Sequence, residues 1–459
     1  MITARAWGGK HYAVYGLARS GLATVRALLA SGAKVTAWDE REEARNQLCS
    51  CSGRSPDAAR SAAFSSGLGP CLRRDTEWDL TQFDSLVLSP GVPLNTHPLA
   101  TRAREAGVEI IGDIELFARA RPELPPHKVV GITGTNGKST TTALVHHILK
   151  TAGVPTAMGG NIGLPILAQD PLSEGGVYVL ELSSFQIDLT QSLDCDVAVL
   201  LNITPDHLDR YESFTEYANS KIRLFHMQWV DDVGIAPSHF FHGDDGLAGV
   251  VNHGNCGTVQ ALEDVFGDWR DQPNAPMIDD QPRWPALQGP HNLENARAAI
   301  GVSFALGVPG SRISAGLRTF PGLPHRMERI REKDGVLFVN DSKATNPEAA
   351  APGLAAYPRV RWIVGGQAKT HDLGDTAQHL DHVVHAYTIG EAGPMFARLL
   401  CERGTSVTDC ETLENAVRRA AADSQAGDVV LLSPACASFD QFRDFEARGE
   451  AFKRLVGEL

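Results

Sequence analysis

No stretch of the 459-residue chain approaches the ~20 consecutive apolar residues that a membrane-spanning helix needs. Its first residues, MITARAWGGKHYAVYGLARSG, lack the continuous apolar core and small-residue cleavage site of a secretory leader. Both absences lead to the expectation of a cytoplasmic protein with no membrane partner. Excess basic charge is missing as well. Lys and Arg number 42 against 55 Asp and Glu, a formal net charge of −13. That balance excludes a broad electrostatic affinity for nucleic acid or anionic lipid, and still permits a local basic pocket for small phosphorylated ligands. The eight cysteines (Cys49, Cys51, Cys71, Cys195, Cys256, Cys401, Cys410 and Cys436) show no paired spacing of the zinc-site kind. Cys49 and Cys51 form a lone C-x-C in a stretch that reads as loop, and reduced thiols are expected throughout. No repeat with a period of about 20 to 50 residues is present.

What the chain does have is alternation. Strand-like runs such as HYAVYG, AKVTAWDE, FDSLVLS, KVVGIT, VYVLELSS and DVAVLLNIT are separated by stretches with helical apolar spacing, such as LARSGLATVRALLASG and KSTTTALVHHILKTAG. The second half repeats the theme with GVLFVNDS, VRWIVGG, HAYTIG and DVVLLSPA. Such βα alternation predicts mainly parallel sheets covered by helices on both faces. At about 150 residues per domain the length allows three. Prolines interrupt the pattern at RPELPPHK and at FPGLPHR, which gives domains at residues 1–117, 118–322 and 323–459. The Ser-, Ala- and Gly-rich stretch from Cys49 to Cys71 reads as a surface insertion. Residues 225–287 carry little pattern.

The stretch GITGTNGKST, Gly131–Thr140, lies between a buried strand and a helix. A strict phosphate loop, G-x-x-x-x-G-K-[ST], requires glycine at position 132, where this chain has Ile132. The physical parts are nonetheless in order. Backbone N–H groups around Gly134, Asn136 and Gly137 can turn toward an anion at the helix N-terminus, Lys138 supplies a point charge, and the Ser139 hydroxyl can ligate magnesium. Ligands of open α/β sheets bind at the carboxyl ends of the strands. There the next strands place Glu181, in VYVLELSSFQ, and His207, in NITPDHLDRY, with Lys221 one helix later in YANSKIRLF. A glutamate in such an apolar strand calls for a cation, and phosphate-bound magnesium is one. Near the start, GLARSG (Gly16–Gly21) followed by Asp39 spells a weak dinucleotide fingerprint, so an NAD-dependent dehydrogenase is the rival reading.

Taken together, GITGTNGKST, GGNIG, LELSSFQ, NITPDHLDRY, GPHNLENA, FPGLPHRME, NDSKATNPEA and LLSPACASFDQF resemble the Mur ligase family, in particular its glutamate-adding branch. The likeness runs over nearly the whole chain, in family order. It implies an N-terminal Rossmann-like domain for the UDP-sugar, a central P-loop ATPase-like domain and a C-terminal Rossmann-like domain. The implied reaction joins D-glutamate to UDP-N-acetylmuramoyl-L-alanine through an acyl phosphate made with ATP, on a monomeric enzyme using two Mg²⁺ ions. Matched motif by motif, it assigns ATP to Gly134, Thr135, Asn136, Gly137, Lys138, Ser139, Thr140, Asn295, Arg326, Asp341 and Lys343. Magnesium falls to Ser139, Glu181, His207 and Lys221, the last as a carbamate formed with carbon dioxide, because a free ammonium would repel the metal. Ser20 in the loop, Asp39, Arg41, Ser89, Pro90, Gly91 and Asn161 are assigned to the UDP-sugar, and Thr345, Lys369, Ser438, Phe439 and Phe445 to the amino acid. Phe439 stands where the family often has leucine. Other readings are a related ligase taking another amino acid, such as L-glutamate, and a nucleotide-binding regulator without turnover.

Overall fold

The computed structural model describes residues 1–51, 71–206, 209–242, 258–264 and 274–459. Three sheets follow one another along the chain. The first is built from β1 (His11–Tyr15), β2 (Lys34–Trp38), β3 (Cys71–Leu72), β4 (Ser85–Leu88) and β5 (Glu109–Ile111), all parallel in the order β3-β2-β1-β4-β5. Helices α1 (Arg19–Ala30), α2 (Glu42–Cys51), α3 (Pro98–Glu105) and α4 (Asp113–Ala120) connect and follow these strands. The chain order reverses between β1 and β4, and a crevice opens at such a switch point. Two local expectations need correcting. Cys49 and Cys51 belong to α2 rather than to a loop, because EEARNQL is rich in good helix formers. Ser20 sits in the first turn of α1 rather than in the loop before it. The body of the Cys49–Cys71 insertion, residues 52–70, lies outside the described residues.

The second sheet holds β6 (His127–Thr133), β7 (Thr156–Gly160), β8 (Gly176–Glu181), β9 (Val197–Leu200), β10 (Val233–Ala236) and β11 (Thr258–Ala261), parallel in the order β11-β10-β9-β6-β8-β7. Strands β6, β8 and β9 are buried on both faces, which is why they read as continuous apolar runs. Helix α5 (Lys138–Ala152) leaves the end of β6, α6 (Ser184–Asp188) that of β8, and α7 (Phe214–His226) follows β9. One apolar core, including Trp7, Phe117, Tyr178 and Phe225, runs through the first two sheets.

Helices α8 (Pro290–Ala305) and α9 (Gly310–Thr319) precede the third sheet, which has the order β12-β13-β17-β14-β15-β16. Its strands are β12 (Glu328–Lys333), β13 (Val336–Asn340), β14 (Val360–Gly365), β15 (Val383–Ile389), β16 (Val407–Glu411) and β17 (Val429–Leu432). All neighbours are parallel except the β12–β13 hairpin. Helices α10 (Pro347–Ala355), α11 (Gly393–Glu402), α12 (Leu413–Asp423) and α13 (Phe445–Glu458) cover the two faces. The chain divides into two compact units, Met1–Pro276 with Arg297–Gly316, and Met277–Ala296 with Leu317–Leu459. Among the described residues no helix is long and apolar enough to cross a membrane.

Candidate active site

At the end of β6 the chain turns through Gly134, Thr135 and Asn136 and enters α5 from Gly137, whose φ of +83° is one that a residue with a side chain rarely adopts. Gly131 is different. It lies within β6, where a Cβ would stand 2.8 Å from Cys195 Sγ, so packing rather than phosphate approach accounts for this glycine. The turn is braced by the segment after β9. Thr135 N–H donates to the Asn202 carbonyl at 2.9 Å, Asn136 N–H to Asn202 Oδ1 at 2.8 Å, and Thr204 N–H to Thr135 Oγ1 at 3.0 Å. Lys138 folds back so that its ammonium donates to the carbonyls of Gly134 (2.9 Å) and Thr135 (2.7 Å). Ser139 and Thr140, half-buried, complete the first turn of a 15-residue helix, whose N-terminus carries a partial positive charge.

Glu181 ends β8, paired with Ile132 of β6 and therefore beside the turn. It is only 2% exposed. Asn161 grips it twice, with its backbone N–H on the Glu181 carbonyl (2.9 Å) and its side-chain amide on Oε1 (2.9 Å). Oε2 is buried without a hydrogen-bond donor among the described residues. A carboxylate held this way is costly unless a cation answers it. Lys221 reaches the same turn from α7. It is 2% exposed, donates to the Gly134 carbonyl at 2.9 Å, and its ammonium stands 4.5 Å from the centre of the Tyr217 ring. Burial, and next the charge of Lys138, lower its pKa from the usual lysine range to about 7. Two lysines therefore converge on one carbonyl. His207 lies outside the described residues.

A second group surrounds a cavity of about 660 Å³ at the switch point of the first sheet. Ser20, Asp39, Arg41, Ser89, Pro90, Gly91 and Asn161 all line it. Gly16, with φ +91°, brings the β1 turn against β4, and the Ser89 hydroxyl donates to the Gly16 carbonyl at 2.8 Å. Asp39 is committed to holding the wall. Its oxygens accept from Leu17 N–H (2.6 Å) and from Arg41 N–H (2.8 Å), Nε (3.1 Å) and Nη2 (3.0 Å). These donors outweigh its burial and hold its carboxyl below the usual range. The cavity also takes Gly160 from the end of β7, Gly163 from the loop after it and Gln186 from α6, and the Arg19 guanidinium donates to the Gly163 carbonyl. The size suits a small organic ligand, and the α1 N-terminus at its edge suits an anionic one.

The remaining predicted residues belong to the second compact unit. Asp341 follows β13. Burial pushes its carboxyl up to about 7, although Oδ2 accepts from the Ser433 hydroxyl (2.8 Å) and Oδ1 from Met327 N–H (3.1 Å). Lys343 N–H donates to the His325 carbonyl at 3.0 Å, which brings Arg326 and Lys343 together, and the Lys343 ammonium lies 4.1 Å from the centre of the Phe445 ring. Lys369 donates to Thr345 Oγ1 at 3.5 Å, and backbone bonds of 2.9 Å between Gln367 and Ala437 place buried Ser438 beside the Lys369 loop. Phe439 is exposed, and Asn295 sits on α8, where its amide donates to Asn292 Oδ1 at 3.1 Å.

Two arginines escaped the sequence reading. Arg448, buried on α13, donates to Ser342 Oγ (3.0 Å) and to the carbonyls of Ser342 (2.8 Å), Cys436 (3.0 Å) and Ala437 (3.3 Å), so one side chain ties the Lys343 loop to the Ser438 loop. Burial lowers its pKa to about 10. Arg210 binds the Pro90–Val92 loop from the central sheet's side. Arg448 has no local motif, and Arg210, although it stands in NITPDHLDRY, shows no role there, because both act on carbonyls that only the tertiary fold brings near.

Comparison with known proteins adds a second line. Residues 10–112 match the Mur ligase MurD-like N-terminal domain, 132–242 the Mur ligase middle domain, and 325–436 the Mur ligase glutamate ligase domain. The chain is 56% identical over 460 residues to the UDP-N-acetylmuramoylalanine–D-glutamate ligase of Novosphingobium aromaticivorans, covering all of this chain and 97% of that one. It is 55% identical over 469 residues to the enzyme of the same name from Sphingopyxis alaskensis, covering both chains in full. Among solved structures, the UDP-N-acetylmuramate-alanine ligase MurC of Thermotoga maritima shares the fold at a TM-score of 0.55 and 17% identity, over 98% of this chain and 99% of that one.

Proposed function

The chain belongs to the Mur ligase family, and from that premise we propose that it joins D-glutamate to UDP-N-acetylmuramoyl-L-alanine with ATP, in the cytoplasm, as a step of peptidoglycan precursor synthesis. The alanine carboxylate takes the γ-phosphoryl group, giving ADP and an acyl phosphate. The glutamate amine then adds to the acyl carbon, the C–O bond to phosphate breaks, and the amine proton is lost as the amide forms. Both steps crowd anions together, so the protein's task is to hold them in line and neutralise them.

The observation that carries this reading is the buried Glu181 carboxylate, half unsatisfied beside the phosphate turn, in a chain that is like two D-glutamate ligases over its whole length. Glu181 Oε2 and the Ser139 hydroxyl are hard oxygen donors and fit Mg²⁺. The family likeness gives a second ion to His207 and a carbamate on Lys221. When bound, Mg²⁺ screens the phosphate oxygens. Gly134, Thr135, Asn136, Gly137 and Thr140 cradle the phosphates with Lys138. Asn295 takes the adenine, Asp341 the ribose, and Arg326 and Lys343 the phosphates. The cavity of Ser20, Asp39, Arg41, Ser89, Pro90, Gly91 and Asn161 takes the UDP-sugar. Lys369, Thr345 and Ser438 meet the glutamate side-chain carboxylate, with Phe439 and Phe445 beside it. A dehydrogenase would use the Gly16–Gly21 turn but leave Lys138, Glu181 and Lys221 without a task.

Phosphate release from Mg-ATP and UDP-N-acetylmuramoyl-L-alanine tests this, comparing D-glutamate, L-glutamate, meso-diaminopimelate and no amino acid. The expected result is release with D-glutamate alone and a product heavier by one glutamyl residue. Release with a different amino acid moves the substrate, and silence with all of them despite ATP binding overturns the ligase.

A further inference from the structure

The wall of the cavity formed by Ser89–Val92 leaves the end of β4 and has no ladder of its own. Among the described residues, one side chain binds its outer side. Arg210 Nη2 donates to the carbonyls of Pro90 and Val92, both at 3.2 Å, and Nη1 to the carbonyl of Gly91 at 3.1 Å. The guanidinium is itself fixed, lying 4.2 Å from the centre of the Phe185 ring, which stacks on Tyr211 at 6.1 Å and 17°. Tyr211 in turn donates to Asp188 Oδ2 at 2.8 Å. In a trans peptide the N–H points opposite to the C=O. With the Pro90 carbonyl on Arg210, the N–H of Gly91 is therefore directed away from the guanidinium, while the N–H of Val92 is taken by the Ser89 carbonyl at 2.9 Å.

We propose that Arg210 is a positioning residue of the UDP-sugar subsite: it turns three successive carbonyls outward and so aims the Gly91 N–H at the diphosphate. The inference rests on the cavity being the UDP-sugar site. It makes affinity for the phosphates depend on a residue of the central domain that never touches them. Substrate affinity, rather than the chemical step, should respond to its loss.

The test compares wild type, Arg210→Met and Arg210→Lys. Methionine keeps the stem and its packing on Phe185 but removes every N–H; lysine restores a charge and fewer bonds. In Arg210→Met, KM for the UDP-sugar and the inhibition constant of UDP should both rise on the order of tenfold or more, the worth of a charge-assisted hydrogen bond. Arg210→Lys should fall between, while kcat, KM for ATP and inhibition by uridine, which has no phosphate, stay within about twofold. Unchanged UDP-sugar KM, equal weakening of uridine and UDP, or a general loss of kcat and ATP affinity would each overturn the role. A wild-type enzyme that neither saturates with UDP-sugar nor is inhibited by UDP would instead overturn the assignment of the cavity.

Discussion

Carbon dioxide reacts only with a neutral amine: the nitrogen lone pair attacks the carbon, a proton is released, and an anionic carbamate replaces a cation. An ordinary lysine, near 10.4, is neutral in only about one molecule in 2,500 at pH 7. Lys221 is buried against the Gly134 carbonyl and faces the charge of Lys138, which bring its pKa down to about 7. About half of the amine is then neutral at neutral pH, a gain on the order of a thousandfold in reactive form. Carbamylation would also turn the repulsion between Lys138 and Lys221 into attraction. The perturbation is to strip the enzyme of carbon dioxide under argon at mildly acid pH and dilute it into buffers of equal dissolved carbon dioxide. The assay follows the early rate at which phosphate release recovers. Between pH 8 and pH 6 the neutral fraction of a group titrating at 7 falls about tenfold, whereas that of an unperturbed lysine falls about a hundredfold. A tenfold fall is expected. A hundredfold fall would refute the perturbed amine, and activity indifferent to carbon dioxide would refute the carbamate.

Replacing Glu181 with Gln keeps an acceptor for Asn161 but removes the charge that awaits a cation. We expect kcat to drop about a hundredfold or more, with a melting temperature no lower than wild type, since a buried uncompensated carboxylate costs stability. Near-normal turnover, or a clear fall in melting temperature, would count against the metal role. Asp341, raised by burial to about 7, binds its proton more tightly folded than unfolded. Its stabilising contribution is complete below about pH 4 and is lost as pH rises through 7. Compared with Asp341→Asn in urea titrations, the wild type should therefore lose up to about 4 kcal/mol of relative stability between pH 4 and pH 8. A difference that does not vary with pH would show that the site is solvated.

Three α/β units were legible because alternation of buried strands and amphipathic helices is a one-dimensional signal. Strand β12, ERIREK, was not, since its side chains alternate only between partly and fully exposed. Its one local sign was Asp334–Gly335, both with positive φ, which closes a two-residue hairpin onto β13. The candidate site residues stand in motifs, which are one-dimensional signals of the same kind as the strands. The roles of Arg448, which has no motif, and of Arg210, which stands inside NITPDHLDRY, were not legible, because an arginine that serves backbone carbonyls looks like any solvated charge until the fold shows what it touches.

The unusual spelling of the phosphate turn follows from the same distinction between local and tertiary causes. Gly131 is required two residues before the end of β6, where Cys195 Sγ and the Leu224 side chain leave no room for a Cβ, and it plays no part in the turn. Ile132 occupies the next strand position, wholly buried, where a glycine would open a cavity in the core. The turn itself needs only Gly134 and Gly137, so its glycines are spaced by three residues instead of five. Lys138 bridges the shorter span by capping the carbonyls of Gly134 and Thr135 with its own ammonium. That same carbonyl at Gly134 is also the hydrogen-bond acceptor for Lys221. The compact turn thus places Lys138 and Lys221 within reach of one oxygen, and burial, with the charge of Lys138 added to it, lowers the pKa of Lys221.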